Sequence, residues 1–202
     1  ACSVDCSFIV VTEDGYGGGG YIYTSSDGGA TWVRQTGAGQ REWRDIVVSG
    51  DGLNIATYDT SGSIFTSSDG GVTWTEQVGA GARNWSGIAI SNDGTRVIAA
   101  DYNYGSGGYI YTSIDSGATW VEQTTSGARN WSDVAVSSDG LKIIAAESGG
   151  YIYTSPDGGA TWVEQTASGI YGWSHVASSA DGETLAGVIN NGGVYISVDG
   201  GV

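Results

Sequence analysis

The chain has 202 residues, enough for one all-β domain with a real core. Its 36 glycines and single proline set it apart from proline-rich disordered chains, and 8 Trp and 12 Tyr lie among many Val and Ile, residues that suit a pleated, half-buried surface. A formal net charge of −15 argues against a nucleic-acid or anionic-membrane surface, and no run reaches the ~18 apolar residues of a membrane helix.

The chain starts at Ala1 and has no Met. Removal of an initiator Met or of a secretory leader is therefore expected. Residues 1–7 hold both cysteines, Cys2 and Cys6. A disulfide there would fit an oxidising compartment; two free thiols are the alternative. Cys-x-x-x-Cys with one distant His is a poor metal signal, so no metal and no cofactor are expected. This segment is a candidate closing strand or tether, and residues 8–202 form the repeat region.

From Ser25 onward an octapeptide recurs. Ser25-Ser-Asp-Gly-Gly-Ala-Thr-Trp32 is matched from Ser67, Ser113 and Ser155, and from Ser197 as far as Val202; successive starts lie 42, 46, 42 and 42 residues apart. A period in the low forties is that of a four-stranded propeller blade. Each period holds four β-like runs. The first begins at Trp43, Trp85, Trp131 and Trp173; the second spans Leu53 to Asp59 and its counterparts. The third is Tyr21-Ile-Tyr-Thr-Ser25 and its counterparts, and the fourth starts at Thr31, Thr73, Thr119 and Thr161. Asp-Gly turns at Asp51, Asp93, Asp139 and Asp181 join the first two runs, because both residues tolerate positive φ. One such sheet cannot bury both faces, and stacking sheets around an axis covers them. The expected fold is an all-β propeller of about five four-stranded antiparallel blades, with the terminal blades incomplete.

The pattern Ser-x-Asp-x-Gly-x-Thr-Trp resembles the Asp box, or BNR repeat, of sialidases and many other propellers. That resemblance implies hairpin turns in which Asp27, Asp69, Asp115, Asp157 and Asp199 accept backbone and hydroxyl hydrogen bonds. It implies that Trp32, Trp74, Trp120 and Trp162 pack between sheets, and that the boxes lie away from any catalytic face. The residue chemistry agrees, since Asp-Gly is turn chemistry and a Trp repeated once per blade suits a core. The second Trp series, 43, 85, 131 and 173, reads the same way.

A sialidase would need an arginine triad for the substrate carboxylate and a Tyr–Glu nucleophile pair. Here the arginines recur at equivalent repeat positions, no Arg-Ile-Pro segment exists, and the one proline is Pro156 inside a box. A general glycosidase needs two carboxylates in contrasting environments, and no acid breaks from the repeat to mark a site. His175 stands alone where other repeats have Asp45 or Asp133. No catalytic residue is assigned, and a non-enzyme is expected.

The loops between fourth and first runs, and between second and third, share one face. The bland reading of Arg41, Arg83 and Arg129 there is pairing with neighbouring acids; the sharper reading is a ring of Arg, acid and Tyr171 around a polar ligand. Two loops are expanded, 14–20 and 101–108, placing Tyr16, Tyr102 and Tyr104 where they add nothing to the repeat. Tyr stacks on sugars and contacts peptides at low entropic cost. The functional expectation is a secreted or cell-surface module for glycan or protein binding, adhesion or structural self-assembly. Alternatives are a filament subunit built by strand exchange, and a lectin-like or sialidase-like hydrolase fragment. The third run of the last repeat, Val194-Tyr-Ile-Ser197, lacks a following Thr-Trp strand. Either the chain is a fragment of a longer propeller, or its N-terminus or a neighbouring copy supplies that strand, which would make homo-oligomers or filaments.

Overall fold

The computed structural model describes residues 1–13 and 17–201. The chain divides into two compact units: residues 1–84 with 90–97 and 113–120, and residues 85–89 with 98–112 and 121–202.

In the first unit, β1 (Ile9–Thr12), β2 (Ile22–Ser25) and β3 (Val33–Gln35) form one antiparallel sheet. Residues 1–3 extend it on the β1 side. Cys2 bridges Ile9, Val10 N–H donates to the Ala1 carbonyl at 2.9 Å, and Ser3 N–H to the Phe8 carbonyl at 2.9 Å. Cys2 and Cys6 are joined as a disulfide at this edge. The second sheet has four strands in sequence order: β4 (Trp43–Val48), β5 (Ile55–Asp59), β6 (Ile64–Ser67) and β7 (Thr75–Glu76). Val10, Ile22, Trp43, Ile55 and Phe65 are buried together, with Trp74 packed against them. Each fully buried aliphatic of this kind is worth about 1.5–3 kcal/mol.

The third sheet, β8 (Trp85–Ile90), β9 (Val97–Asp101), β10 (Ile110–Ser113) and β11 (Val121–Gln123), repeats the order. So do β12 (Trp131–Val136), β13 (Ile143–Gly150), β14 (Ile152–Ser155) and β15 (Val163–Gln165) in the second unit. The last sheet is β16 (Tyr171–Ser178), β17 (Leu185–Ile189) and β18 (Val194–Ser197). The end of β13 pairs with the start of β16, Gly150 opposite Tyr171, so these two sheets are continuous.

The strands follow the hydrophobic pattern, with two differences. The fourth strands are only two or three residues long, because after Gln77, Gln123 and Gln165 the chain turns into single 3-10 turns at Val78–Ala80, Thr124–Ser126 and Thr166–Ser168. The Trp of the octapeptide is not the main core residue: Trp32 is 44% exposed and Trp74, Trp120 and Trp162 are half-buried. The Trp that starts each first strand holds that place, with Trp43, Trp85, Trp131 and Trp173 all buried. The physical reason is register. A first-strand Trp meets the third-strand aromatic of its own sheet edge-on, at 5.3 Å from Phe65 in one repeat and 5.2 Å from Tyr153 in another. The octapeptide Trp leaves the end of a turn and covers the core from outside.

The octapeptide turn is closed by its own side chains. Ser25 Oγ donates to Asp27 Oδ1 at 2.8 Å and accepts Gly29 N–H at 2.8 Å. Thr31 N–H and Oγ1–H donate to the two Asp27 carboxylate oxygens at 2.8 and 2.6 Å. The same bonds recur at Asp69, Asp115 and Asp157. The hydrogen bonds from Thr31, then from Ser25, hold the Asp27 carboxyl down at about 2. Asp69, Asp115 and Asp157 are lowered by the matching Thr bonds.

Candidate functional site

The loops that vary from repeat to repeat are fastened to the sheet scaffold. In the second unit, residues 101–108 leave β9 and return to β10. Asn103, at a positive φ of 27°, donates its N–H to Asp101 Oδ1 at 3.2 Å, and Gly107 N–H donates to the Asn103 carbonyl at 3.0 Å. At its far end Gly108 and Arg129 exchange both backbone hydrogen bonds, at 2.8 and 2.9 Å. The approach needs glycine: a Cβ on Gly107, at φ +73°, would meet the Ala128 carbonyl carbon at 2.6 Å. Between these anchors the rings of Tyr102 and Tyr104 lie 4.5 Å apart, tilted 59° to each other, with Tyr102 half-buried and Tyr104 80% exposed. The result is an aromatic platform on a pinned loop. Tyr16, in the other expanded loop, lies outside the described residues.

The arginines are built into the repeat. Arg41 donates Nε–H to the Ala38 carbonyl at 3.2 Å, reaches Asp59 Oδ2 through Nη1 at 3.1 Å and lies 4.2 Å over the Phe65 ring. Arg129 does the same with the Ser126 carbonyl at 3.2 Å, Glu147 at 3.4 Å and Tyr153 at 4.2 Å. Arg83 Nε–H donates to the Ala80 carbonyl at 3.0 Å. Each guanidinium thus stacks or caps next to a buried Trp. In the last repeat the arginine is replaced by Tyr171, the acid by Ile189, which lies opposite Trp173 as Glu147 lies opposite Trp131, and the platform is Tyr195. Tyr171 and Tyr195 lie 5.5 Å apart, and 5.6 and 5.1 Å from Trp173 respectively. Their hydrogen bond, and then burial, push the Tyr195 phenol up. The paired change, Arg to Tyr with acid to Ile, keeps an aromatic stack and drops the ion pair together.

The third-strand aromatics Phe65, Tyr111, Tyr153 and Tyr195 were not singled out from sequence, although their fixed place two residues before Ser67, Ser113, Ser155 and Ser197 marks them. Burial first, then its bond to Glu164, raises the Tyr153 phenol well above its ordinary range. Nine carboxyls are held below their ordinary value by hydrogen bonds inside turns: Asp5, Asp27, Asp51, Asp69, Asp93, Asp115, Asp139, Asp157 and Asp181. His175, on β16, places Nδ1 3.4 Å from Asp133 Oδ2, and that oxygen also accepts the Val176 N–H at 2.9 Å. No group of three or more His, Cys, Asp or Glu side chains among the described residues is arranged to hold a metal ion.

No protein-family model matches the chain, and no curated protein matches it. Solved structures do. The chain is similar to YCF48 bound to D1 peptide, at 18% identity and a TM-score of 0.64, over 90% of this chain and 59% of that one. It is similar to the GH74 xyloglucanase of Xanthomonas campestris, at 18% identity and a TM-score of 0.70, over 96% of this chain and 35% of that one. It is similar to a chain of the nidogen/laminin complex, at 15% identity and a TM-score of 0.72, over 97% of this chain and 73% of that one. The chain spans 59% and 35% of the first two, less than two thirds of their length. At these identities the likeness is one of fold: this chain is a β-propeller repeat protein.

Proposed function

We propose that the chain is a non-enzymatic, extracellular carbohydrate-binding module whose ligand rests on the Tyr102–Tyr104 platform. The observation that carries this reading is the Tyr102–Tyr104 pair, 4.5 Å between centroids with Tyr104 80% exposed, on a loop anchored at both ends. A rigid exposed aromatic surface presents a flat apolar face to the C–H side of a pyranose and a hydroxyl at its rim, and loses little entropy on binding. The extra residues serve no bond of the repeat. The resemblance of the octapeptide to the Asp box agrees with a module of this kind, and propellers carry many functions on one scaffold, so the loop and not the fold supports the choice.

Two further observations favour binding over hydrolysis and the outside of the cell. A glycosidase acid must stay protonated, which takes a raised pKa. The box carboxyls Asp27, Asp69, Asp115 and Asp157 are instead held ionised by turn hydrogen bonds. A Cys2–Cys6 disulfide persists in oxidising compartments.

The test is a glycan array probed with the whole chain and with Tyr102→Ala/Tyr104→Ala. Saccharide binding that the double substitution removes supports the reading. No binding at high glycan density sinks it. Turnover of glycoside substrates, lost on changing one acidic residue, would replace it with a hydrolase.

A further inference from the structure

The tripeptide Asn-x-Ser occurs twice in the sequence, as Asn84-Trp85-Ser86 and Asn130-Trp131-Ser132. In a chain that enters a eukaryotic secretory pathway this pattern is the acceptor for an N-linked glycan. Both copies lie within the same pentapeptide, Ala-Arg-Asn-Trp-Ser, at the entry to a first strand. Any difference between them therefore comes from the fold and not from the acceptor sequence.

The fold treats the two asparagines differently. Asn84 is exposed, and its carboxamide makes no hydrogen bond among the described residues. Asn130 is half-buried, and its carbonyl accepts the Ser148 N–H at 2.9 Å. It also follows Arg129, whose backbone is paired with Gly108 at the anchored end of the 101–108 loop. A branched sugar rooted at Asn84 starts in solvent. One rooted at Asn130 starts in a partly covered position beside that anchor.

The third residue of the tripeptide sets when a glycan can be added. The transferase reads the Ser hydroxyl in an extended acceptor. In the folded chain Ser86 Oγ is committed, donating to the Trp131 carbonyl at 2.7 Å with the Ala100 carbonyl at 3.2 Å, and Trp85 is buried. β8 is by then paired with β9. The acceptor is readable only before β8 joins its sheet.

We infer that Asn84 is an N-glycosylation site, filled while the chain is unfolded and left outside the sheet afterwards. The inference rests on the extracellular reading, but not on carbohydrate binding by Tyr102 and Tyr104. The donor is an oligosaccharide carried on a lipid pyrophosphate. Asn84 Nδ2 forms a bond to the anomeric carbon of the first sugar, and the bond from that carbon to the pyrophosphate oxygen breaks. The lipid pyrophosphate leaves with the electron pair, and the amide proton passes to a base of the transferase. A chain that takes the glycan at Asn130 has to cover the root of it in order to fold, so such chains are depleted from the secreted pool.

The test is peptide mass spectrometry on the chain secreted by eukaryotic cells. Cleavage after Arg and Lys gives residues 84–96 and 130–142 as separate peptides with one acceptor each. The account expects the glycan on 84–96, at higher occupancy than on 130–142, and Asp in place of Asn84 after enzymatic deglycosylation. Asn84→Gln and Ser86→Ala should each remove it, and Ser86→Thr, which keeps the hydroxyl, should retain it. Folded chain made in bacteria should stay bare when given oligosaccharyltransferase and the lipid-linked donor, whereas the peptide Ala-Arg-Asn-Trp-Ser is modified. A secreted chain with a bare 84–96 peptide overturns the site and leaves the extracellular reading standing. Higher occupancy on 130–142 overturns the role given to exposure, and modification of the folded chain overturns the order of events. Cell fractionation that finds the chain in the cytosol of its own source overturns the extracellular reading and the site with it.

Discussion

Replacing Arg129 with Ala separates a structural arginine from a ligand-binding one. The side chain makes three contacts: the Nε bond to the Ser126 carbonyl at 3.2 Å, the Glu147 pair at 3.4 Å and the stack 4.2 Å over Tyr153. A net hydrogen bond is worth about 1 kcal/mol. A partly exposed cation–π stack is worth about 0.5–1 kcal/mol. The ion pair is screened, since the two side chains are 32% and 20% exposed, and adds roughly 0–1 kcal/mol. Arg129→Ala should therefore cost about 2 kcal/mol. For a chain of this size that lowers the melting temperature by roughly 4–8 °C. Arg129→Lys keeps the charge but loses the flat fork and should fall between. Thermal unfolding followed by circular dichroism reads all three proteins. A melting temperature for Arg129→Ala within 1 °C of the parent would refute the argument, and would free this arginine for a ligand.

Four other outcomes follow from the same structure. Ser116 sits at φ +59° where the other turns have Gly28, Gly70, Gly158 and Gly200, so Ser116→Gly should stabilise by roughly 0.5–1 kcal/mol in urea unfolding; a loss would show that its side chain matters more than its backbone. Trp131 is fully buried and its Nε1 makes no hydrogen bond among the described residues. Trp131→Ala should cost about 3–5 kcal/mol and Trp131→Phe clearly less, because the phenyl removes an unmet donor along with some volume; equal losses would contradict this. The turn carboxylates have folded-state pKa values below their unfolded ones, so their contribution is intact above about pH 4. It should fade as pH falls toward the value of about 2 held by Asp27, and a stability that instead declines between pH 7 and 5 would point to other groups. Tyr171→Arg with Ile189→Glu rebuilds the ion pair of the other repeats and should be more stable than Tyr171→Arg alone in the same melt; equal melting temperatures would contradict this.

The repeat and its strand order were legible because each level of the sequence agreed with the next. Val, Ile and aromatic runs, Asp-Gly turns and a 42-residue step all favour short antiparallel strands. Burial was not legible at the same level. The octapeptide is locally uniform, yet Trp32 is 44% exposed while Trp74 and Trp162 rest on buried clusters, since the packing of each depends on the strands beside it and not on its own turn. The sequence allowed both pairing of the arginines with neighbouring acids and a ring around a ligand, because it shows spacing and not stacking. Their partners, Phe65 and Tyr153, sit 24 residues on, in another strand, and the contact exists only once the sheet has formed. Tyr102 and Tyr104 stood out for the opposite reason: they lie in a loop longer than the repeat needs.

The most direct measurement compares Tyr102→Ala/Tyr104→Ala with Arg129→Ala against one saccharide selected on the array, each by isothermal titration and thermal melt. The account predicts that the tyrosine variant loses binding with its melting temperature unchanged, while the arginine variant melts several degrees lower and still binds. Binding lost in the arginine variant and kept in the tyrosine variant would contradict it.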